Sequence, residues 1–454
     1  MIQETNHFEA DFLSELCEQY RASINIKTSD FDRYHIKRGL RNDDGTGVMA
    51  GLTQVCSVDG YYIEDGERIP RDGRLSYRGV NIYDLVGACV DEDRFGFEEL
   101  TFLLLFGFLP SVEQLQRFRA VLSHYRELPS AFIEDVIMKA PSPNVMNRMQ
   151  SAVAALYAYD PQADNLSPEN VMRQSIQIIG RLPSIMTYSY QVKRRHFLNK
   201  SMYIHPIKAD QSTAQSILNS IRSDRKFTDE EAKLLDLCMI MHAEHGGGNC
   251  STFAVRTLTS AGTDTYSAIA AGIGALKGPK HGGANIKVTE MVEAIRAEVS
   301  DISDDEEVEN ALRRITRREI GDRSGLIYGM GHAVYTMSDP RAVLLKKNAL
   351  ALAEKTGFSE EWHLLDSIER LTPKVFLEEK GNNKMMCANV DLYSGLIYRM
   401  LALPEDLYTP IFACARAAGW CAHRMEELLT GGRIMRPAFK SLARKQQYIA
   451  IDER

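Results

Sequence analysis

The chain has 454 residues, of which 44% are hydrophobic and 25% are charged. This composition is ordinary for a globular protein with a large core. The 54 basic residues are outnumbered by 61 acidic ones, giving a formal net charge of −7, which argues against non-specific binding to nucleic acids.

The first residues of the chain do not have the pattern of a targeting segment. A secretory signal requires a basic stretch followed by an apolar core, and the opening MIQETNHFEADFLSEL has neither. The strongest apolar run, residues 102–109, is too short to span a bilayer. None of the eight cysteines forms a C-x-x-C pair, as is typical of free thiols in a reducing compartment. We therefore expect a cytoplasmic protein.

Helix signals dominate the chain, and only residues 51–78 indicate β-structure, with alternating polarity between Asp-Gly turns. Capping boxes are predicted at Ser111, Thr228 and Ser303, each followed three residues later by Glu or Gln. The helix after Thr228 is apolar almost all round, which predicts that it is buried. Further helices are predicted at residues 264–276, 341–355 and 407–429. The sequence thus predicts an all-α protein with a small N-terminal β region.

Four segments combine a histidine or an aspartate with glycines and small polar residues. They are HAEHGGGN around His245, GPKHGGAN around His281, GMGHAVYTMSDPR around His332 and NVDLYSG around Asp391. Glycine lets the backbone approach a ligand closely, and histidine and carboxylate exchange protons near neutral pH. The set indicates an active site assembled from four distant segments. Taken alone, Asp391 fits equally well as the N-cap of the helix LIYRMLAL.

Two other motifs have simpler interpretations. His242 and His245 are three residues apart, a spacing that can place two zinc ligands on one helix face. Glu244 is misplaced for the H-E-x-x-H motif, and structural histidines are commoner than metal ligands. The stretch GIGALKG, residues 272–278, lacks both the spacing and the preceding strand of a dinucleotide-binding loop.

Three arginines stand in unusual surroundings. Arg341 follows Asp-Pro at a predicted helix start, Arg416 lies in the apolar helix PIFACARAAGW, and Arg436 lies in RIMRP. Each alone could be an ion-paired surface arginine. Because guanidinium groups bind carboxylates through two parallel hydrogen bonds, the three together could hold a substrate with two carboxylates.

Taken together, these segments resemble the citrate synthase family over residues 242–437, and also at GRLSYRGVNIYDLV and FEELTFLLLFGFLPS. The separations agree with the family as well as the local motifs do: 36 residues from His245 to His281, nine from His332 to Arg341 and 20 from Arg416 to Arg436. The resemblance implies that the chain condenses acetyl-CoA with oxaloacetate and hydrolyses citryl-CoA to citrate and CoA.

The resemblance also implies a role for each matching residue. Asp391 would remove a proton from the acetyl methyl group, and His281 would donate a hydrogen bond to the thioester carbonyl. His332 would polarise the keto group of oxaloacetate. The residues implied to hold oxaloacetate are His245, Arg341, Arg416 and Arg436, the last contributed by the other protomer of a homodimer. Lys384 falls near a lysine that binds CoA phosphates.

The family further implies a helical fold of two domains that close over the substrates. The large domain would comprise residues 1–282 and 403–454, and the small domain residues 283–402. No permanently bound cofactor or metal is implied, because acetyl-CoA is a co-substrate. The expected partners are oxaloacetate, acetyl-CoA and a second copy of the chain, with no nucleic acid and no membrane.

Three alternatives stay open at this point. The first is 2-methylcitrate synthase, which uses propionyl-CoA; one methylene is worth only about 1–3 kcal/mol of discrimination. The second is a zinc-dependent hydrolase that uses His242, His245 and a third ligand. The third is a helical binding module that has lost catalysis, against which the intact set of His281, His332 and Asp391 argues.

Overall fold

The computed structural model describes residues 7–65, 67–381, 385–430 and 432–454 of the chain. They fall into two units, one of residues up to 50 together with 436–454, and one of residues 51–435. In the smaller unit, two N-terminal helices accompany an extended C-terminal segment, and the Lys440 ammonium lies 5.9 Å from the ring centroid of Tyr34. None of the described helices is long and apolar enough to cross a membrane.

Helices form most of the chain, as the sequence predicts. In chain order they are α1 His7–Ser23, α2 Thr28–Arg33, α3 Ile82–Asp91, α4 Phe97–Phe106, α5 Val112–His124, α6 Val145–Ala155, α7 Pro168–Phe197, α8 Thr213–Ile221, α9 Asp229–His242, α10 Cys250–Ser260, α11 Thr265–Leu276, α12 Ala284–Glu298, α13 Asp305–Thr316, α14 Pro340–Thr356, α15 Ser359–Lys380, α16 Val390–Met400 and α17 Tyr408–Leu429.

The predicted β region forms a three-stranded antiparallel sheet, ordered β1 (Cys56–Glu64), β2 (Glu67–Tyr77) and β3 (Val80–Asn81). Cys56 faces Tyr77 at one end of the β1–β2 hairpin, and the register shifts at a bulge between Asp59 and Tyr61. The all-α prediction with a small N-terminal β region is therefore confirmed.

Most of the predicted helix starts are confirmed, and one is wrong. Ser111 and Thr228 each form a complete capping box. Ser303 does not cap α13: the N-cap is Asp304, whose carboxylate accepts the N–H of Glu306 at 2.8 Å, while Ser303 bonds to Asp301. The carboxylate of Asp304 takes the place of the Ser303 hydroxyl, so the helix begins one residue later than predicted.

Helix α17 runs through the centre of the larger unit and is buried along nearly its whole length. It packs against α7, α10, α4 and α9. Small residues make this close packing possible. A Cβ on Gly419 would lie 2.5 Å from the carbonyl oxygen of Ala243, just beyond the end of α9. Helix α11 also packs closely, since a Cβ on Gly272 would lie 2.7 Å from the side chain of Val255 in α10.

Both predicted domains contribute residues to the larger unit. The boundary between residues 1–282 with 403–454 and residues 283–402 stays a prediction.

Candidate active site

The segment that carries His245 leaves the C-terminus of α9. Gly246 has a φ of +86°, a conformation that residues with side chains rarely adopt. The Nε2 atom of His245 is buried and has no hydrogen-bond partner among the described residues. Burial lowers the pKa of this imidazole well below its ordinary value, and the nearby Arg341 and His332 lower it further. His245 is therefore a neutral ring with a nitrogen available to a ligand.

The loop between α13 and α14 holds His332 by its backbone. The Nδ1 atom of His332 accepts the N–H groups of Val334 at 3.0 Å and of Tyr335 at 3.1 Å. A backbone N–H can only donate, so Nδ1 is unprotonated and the proton of the neutral ring is assigned to Nε2. The ring of Tyr335 stacks on that of His332, with centroids 4.7 Å apart. The loop thus fixes both the orientation and the tautomer of this imidazole.

The His332 loop is joined to the segment that carries Asp391. The backbone N–H of Asn389 donates to the carbonyl of Gly329 at 2.8 Å, and its side-chain amide donates to the carbonyl of Gly331 at 2.9 Å. A Cβ on Gly329 would lie 3.0 Å from the Cα of Leu392, so the two segments can approach only because this residue is glycine.

Asp391 stands in the first turn of α16 and does not cap it. The N-cap is Asn389, whose side-chain oxygen accepts the N–H of Asp391 at 3.0 Å. Burial raises the pKa of the Asp391 carboxyl to about 6, Arg341 and Arg416 act to lower it, and Asp339 acts to raise it. The N-cap alternative is therefore wrong. A buried carboxyl with a pKa of about 6 is suited to act as a general base near neutral pH.

His281 lies between α11 and α12, in GPKHGGAN. Its Nε2 accepts the backbone N–H of Ser251 at 3.2 Å and lies 2.9 Å from the Ser251 hydroxyl. The indole N–H of Trp420 donates to the same hydroxyl at 3.1 Å. Burial, with a smaller contribution from Arg416, lowers the pKa of His281 to about 4. The ring is neutral near pH 7, and its proton is assigned to Nδ1.

Two of the predicted arginines lie buried in this region. Arg341 at the start of α14 pairs with Asp339 through Nη2 at 2.7 Å and Nε at 3.1 Å. Arg416 in α17 donates through Nε to the carbonyl of His242 at 2.6 Å and forms no ion pair with a described carboxylate. Burial lowers the pKa of its guanidinium from the usual value. The buried Glu244 acts on this charge without forming a direct ion pair with it. A buried cation without a direct ion pair is costly, so Arg416 is suited to bind an anionic ligand.

The structure brings most of the predicted site residues together. The rings of His245 and His332 meet edge to face, with centroids 5.0 Å apart. The positive charge of Arg416 acts to lower the pKa values of His245, His281 and Asp391. Arg436 is different: it is exposed and belongs to the smaller unit. Lys384 lies outside the described residues.

Several residues that support the site were not predicted. Tyr335 stacks on His332, Asp339 pairs with Arg341, and Ser251 orients His281. The hydroxyl of Tyr77 in β2 lies 3.2 Å from each of two carbonyls in the segment leading to His245. Tyr335 and Asp339 lie within GMGHAVYTMSDPR, so that motif was a signal for them. Tyr77 lies within GRLSYRGVNIYDLV, a segment that resembles the family, but the resemblance implied no role for it.

The side chain of His242 forms none of the hydrogen bonds described above. Its ring is fully buried against Phe412, with centroids 4.2 Å apart, and neither nitrogen has a hydrogen-bond partner in the described part of the chain. No group of three or more His, Cys, Asp or Glu side chains among the described residues could hold a metal ion. The zinc hydrolase therefore lacks a ligand set within that part of the chain.

The arrangement supplies two neutral imidazoles with assigned donor nitrogens, one carboxylate base and two buried guanidinium groups. Such a set can remove a proton from carbon while a neutral donor stabilises the developing enolate oxygen. It can also bind and polarise an anionic carbonyl compound.

Comparison with known proteins agrees with this chemistry. The family model described as "Citrate synthase, C-terminal domain" matches residues 43–438. A citrate synthase of Synechocystis is 31% identical over 408 residues, which are 89% of this chain and 90% of the relative. A 2-methylcitrate synthase 1 of Corynebacterium glutamicum is 28% identical over 92% of this chain and 98% of its own length.

A solved structure of similar fold is that of citrate synthase from Thermoplasma acidophilum, in a ternary complex with carboxymethyl coenzyme A and oxaloacetate. It superposes with a TM-score of 0.73 at 27% sequence identity, covering 92% of this chain and 99% of that one.

Proposed function

This chain belongs to the citrate synthase family, and we propose how its residues carry out the family's reaction. That reaction is an acyl transfer of the citrate (Si)-synthase type. It joins the methyl carbon of acetyl-CoA to the keto carbon of oxaloacetate and then hydrolyses citryl-CoA to citrate and CoA.

Oxaloacetate binds first, with its carboxylates held by Arg416, Arg341 and His245. The buried charge of Arg416, which forms no direct ion pair with a described carboxylate, supports this assignment. Arg341 is already engaged by Asp339 through Nε and Nη2, which fixes the plane of its guanidinium for a ligand at Nη1.

The observation that carries the proposal is the pair of backbone hydrogen bonds to Nδ1 of His332, from which its tautomer is assigned. Because two backbone N–H groups point at Nδ1, the ring presents Nε2–H, and this donor polarises the keto group of oxaloacetate. The polarised carbonyl carbon becomes a better electrophile, and the donor accommodates the negative charge that develops on the oxygen.

Enolisation of acetyl-CoA uses the second half of the site. Asp391 takes a proton from the acetyl methyl carbon, and the electron pair of the C–H bond moves toward the thioester oxygen. Nδ1–H of His281 donates to that oxygen and stabilises the enolate without a free cation. One general base contributes about 10²–10⁴-fold, so the donor and the alignment of the reactants must supply the rest of the acceleration.

Condensation then forms the carbon–carbon bond. The enolate carbon attacks the keto carbon, and the keto oxygen becomes the hydroxyl of citryl-CoA after taking a proton. Water cleaves the thioester, which releases citrate and the thiol of CoA. No permanently bound cofactor is needed, since acetyl-CoA enters and leaves as a co-substrate.

We also propose roles for Arg436, for Lys384 and for the predicted small domain. In a homodimer with shared active sites, Arg436 contributes to the site of the other protomer, and its exposed side chain supports this placement. Lys384 binds the phosphates of CoA. Residues 283–402 close over the substrates as a small domain, which excludes water during enolate formation.

We place the enzyme in the cytoplasm, where its substrates meet and where thiols stay reduced. All eight cysteines are free in the structure, and five of them are buried.

The direct test is release of the CoA thiol, measured with oxaloacetate and acetyl-CoA beside oxaloacetate and propionyl-CoA, with product identity from mass spectrometry. We expect oxaloacetate-dependent citrate formation and a larger kcat/KM for acetyl-CoA. A larger kcat/KM for propionyl-CoA would favour the 2-methylcitrate synthase alternative. The similarity to the 2-methylcitrate synthase 1 of Corynebacterium glutamicum is the reason to test it. No thiol release with either substrate would contradict the proposal.

A further inference from the structure

The β1–β2 hairpin lies against the loop that carries His332. A Cβ on Gly60 would be 2.6 Å from the carbonyl oxygen of Val334, and one on Gly73 would be 2.1 Å from the carbonyl oxygen of Ser338. Neither glycine has a positive φ, so the reason for glycine here is the close approach. Where the hairpin meets this loop, there is no room for a side chain at Gly60 or Gly73.

Hydrogen bonds cross the same contact. The backbone N–H of Gly73 donates to the hydroxyl of Ser338 at 3.0 Å, and Nη2 of Arg68 donates to the carbonyl of Val334 at 3.1 Å. The Arg68 guanidinium also lies 3.9 Å from the ring centroid of Tyr61 on the facing strand. This stacking holds the side chain in place.

One peptide unit links Arg68 to His332. The carbonyl that Arg68 contacts is that of Val334, and the N–H of the same peptide unit is that of Tyr335. This N–H donates to Nδ1 of His332 at 3.1 Å. A cationic donor at the oxygen of a peptide unit polarises it and strengthens its N–H as a donor. The chain of hydrogen bonds therefore runs from Arg68, through one peptide unit, to the histidine nitrogen that must stay unprotonated.

We propose that Arg68 is a positioning residue for the reaction: through the peptide unit between Val334 and Tyr335, it holds His332 in the tautomer that presents Nε2–H to the keto group. This inference rests on the role given to His332 above. Arg68 itself contacts no reacting atom. The simpler alternative is that Arg68 only stabilises the hairpin against the loop, and the two differ in what they predict for the polarisation of bound substrate.

The test uses Arg68→Met, with Arg71→Met as the matched control. Arg71 lies on the same strand and approaches Asp59 at 3.7 Å, and no hydrogen bond joins it to the described part of the His332 loop. We expect Arg68→Met to lower kcat/KM for oxaloacetate by about 10-fold or more, as loss of a charged hydrogen bond to an orienting group does. Arg71→Met should leave it unchanged.

A second readout separates positioning from stability. The infrared stretch of the keto carbonyl of bound oxaloacetate reports its polarisation directly. Its shift to lower frequency on binding should shrink in Arg68→Met and persist in Arg71→Met. Arg68→Lys, which keeps a charged donor, should restore part of the shift. If Arg68→Met does not fold, Arg68→Gln, which keeps an N–H donor without the charge, replaces it.

Wild-type kcat/KM together with a wild-type carbonyl shift in Arg68→Met would overturn the inference, and so would equal losses in Arg68→Met and Arg71→Met. A parallel His332→Ala variant separates this failure from that of the proposed function. If His332→Ala is inactive while Arg68→Met behaves like wild type, only the role of Arg68 fails. If His332→Ala keeps full turnover, the role proposed for His332 fails, and that of Arg68 with it. If the wild-type chain releases no CoA thiol, the proposed function itself fails.

Discussion

The imidazoles of His245 and His332 meet edge to face, with ring centroids 5.0 Å apart, although they come from segments far apart in the chain. Tyr335 contacts both rings, stacked on His332 and edge-on to His245. The contact places the ring of His245, whose Nε2 has no hydrogen-bond partner among the described residues, beside the ring of His332. Backbone N–H groups fix the tautomer of the His332 ring. This geometry is the basis for our proposal that the pair binds the carbonyl compound oxaloacetate.

Removing the imidazole of His332 should abolish polarisation of the keto group. We expect His332→Ala to lower kcat/KM by about 10²–10³-fold, the usual loss for one preorganised donor, with thermal stability close to wild type. Steady-state kinetics and thermal unfolding measure the two effects. His363→Ala, at an exposed histidine of α15, is the control and should have wild-type kinetics.

The acidic limb of the pH profile should report Asp391. Its pKa is raised to about 6, so the carboxylate base is present above that pH and is lost as the pH falls through it. The pKa of His281 is about 4, so this ring stays neutral over the same interval. We expect kcat/KM to fall below about pH 6 and the residual rate of Asp391→Asn, lower by about 10²–10⁴-fold, to lack this limb. A limb that persisted at the same pH in Asp391→Asn would contradict the assignment.

Binding and stability should respond in opposite directions to the loss of Arg416. Because its guanidinium is buried and forms no direct ion pair with a described carboxylate, Glu244 acting on it only from a distance, Arg416→Met should leave the melting temperature unchanged or raise it. The same change should weaken oxaloacetate binding by about 2–5 kcal/mol, measured by calorimetry.

Arg424→Met is the matched control for that experiment, since Arg424 is buried in the same helix but bonds to Thr259, Thr263 and Thr265. Its loss removes three buried hydrogen-bond donors from those oxygens and should cost about 1–3 kcal/mol of stability, with oxaloacetate affinity retained. A large drop in melting temperature for Arg416→Met would show that the residue serves the fold.

Gly419→Ala should disturb the His245 segment from a distance. The added Cβ would lie 2.5 Å from the carbonyl oxygen of Ala243 and closer still to the carboxylate of Glu244. We expect a loss of about 1–3 kcal/mol in the free energy of unfolding, with weaker oxaloacetate binding. Gly87→Ala, in α3 where a Cβ meets nothing within 4 Å, should instead stabilise by about 0.5–1 kcal/mol. Equal effects of the two substitutions would contradict the packing argument.

Shared active sites predict complementation between two inactive variants. In a mixed dimer of Asp391→Ala and Arg436→Ala chains, one site would carry both defects and the other would carry none. Unfolding and refolding the two together should restore about a quarter of wild-type activity by random pairing. Each variant refolded alone is the control. No recovery, with mixed dimers shown to form by tagged pull-down, would contradict the placement of Arg436.

Local features of the chain could be predicted because their physics is local. A hydroxyl and an acidic or amide side chain three residues apart satisfy the exposed N–H groups of a helix wherever they occur, as at Ser111 and Thr228. The same rule failed at Ser303, where the neighbouring Asp304 is a stronger acceptor. For Asp391 the local pattern allowed two roles, and only the burial of its carboxyl and the cap formed by Asn389 separated them.

The sequence by itself determined which groups could do the chemistry: His245, His281, His332 and Asp391 among their glycines, with arginines at family spacing. Only the tertiary structure decided which of these side chains are neutral and which neighbouring residues hold them in position. The hydrogen bond from Arg68 to Val334 joins residues 266 positions apart, and the bond from Trp420 to Ser251 joins residues 169 apart. No periodicity or motif encodes such pairs, because the free energy of a contact depends on the distance between groups in space, and only the folded chain sets that distance.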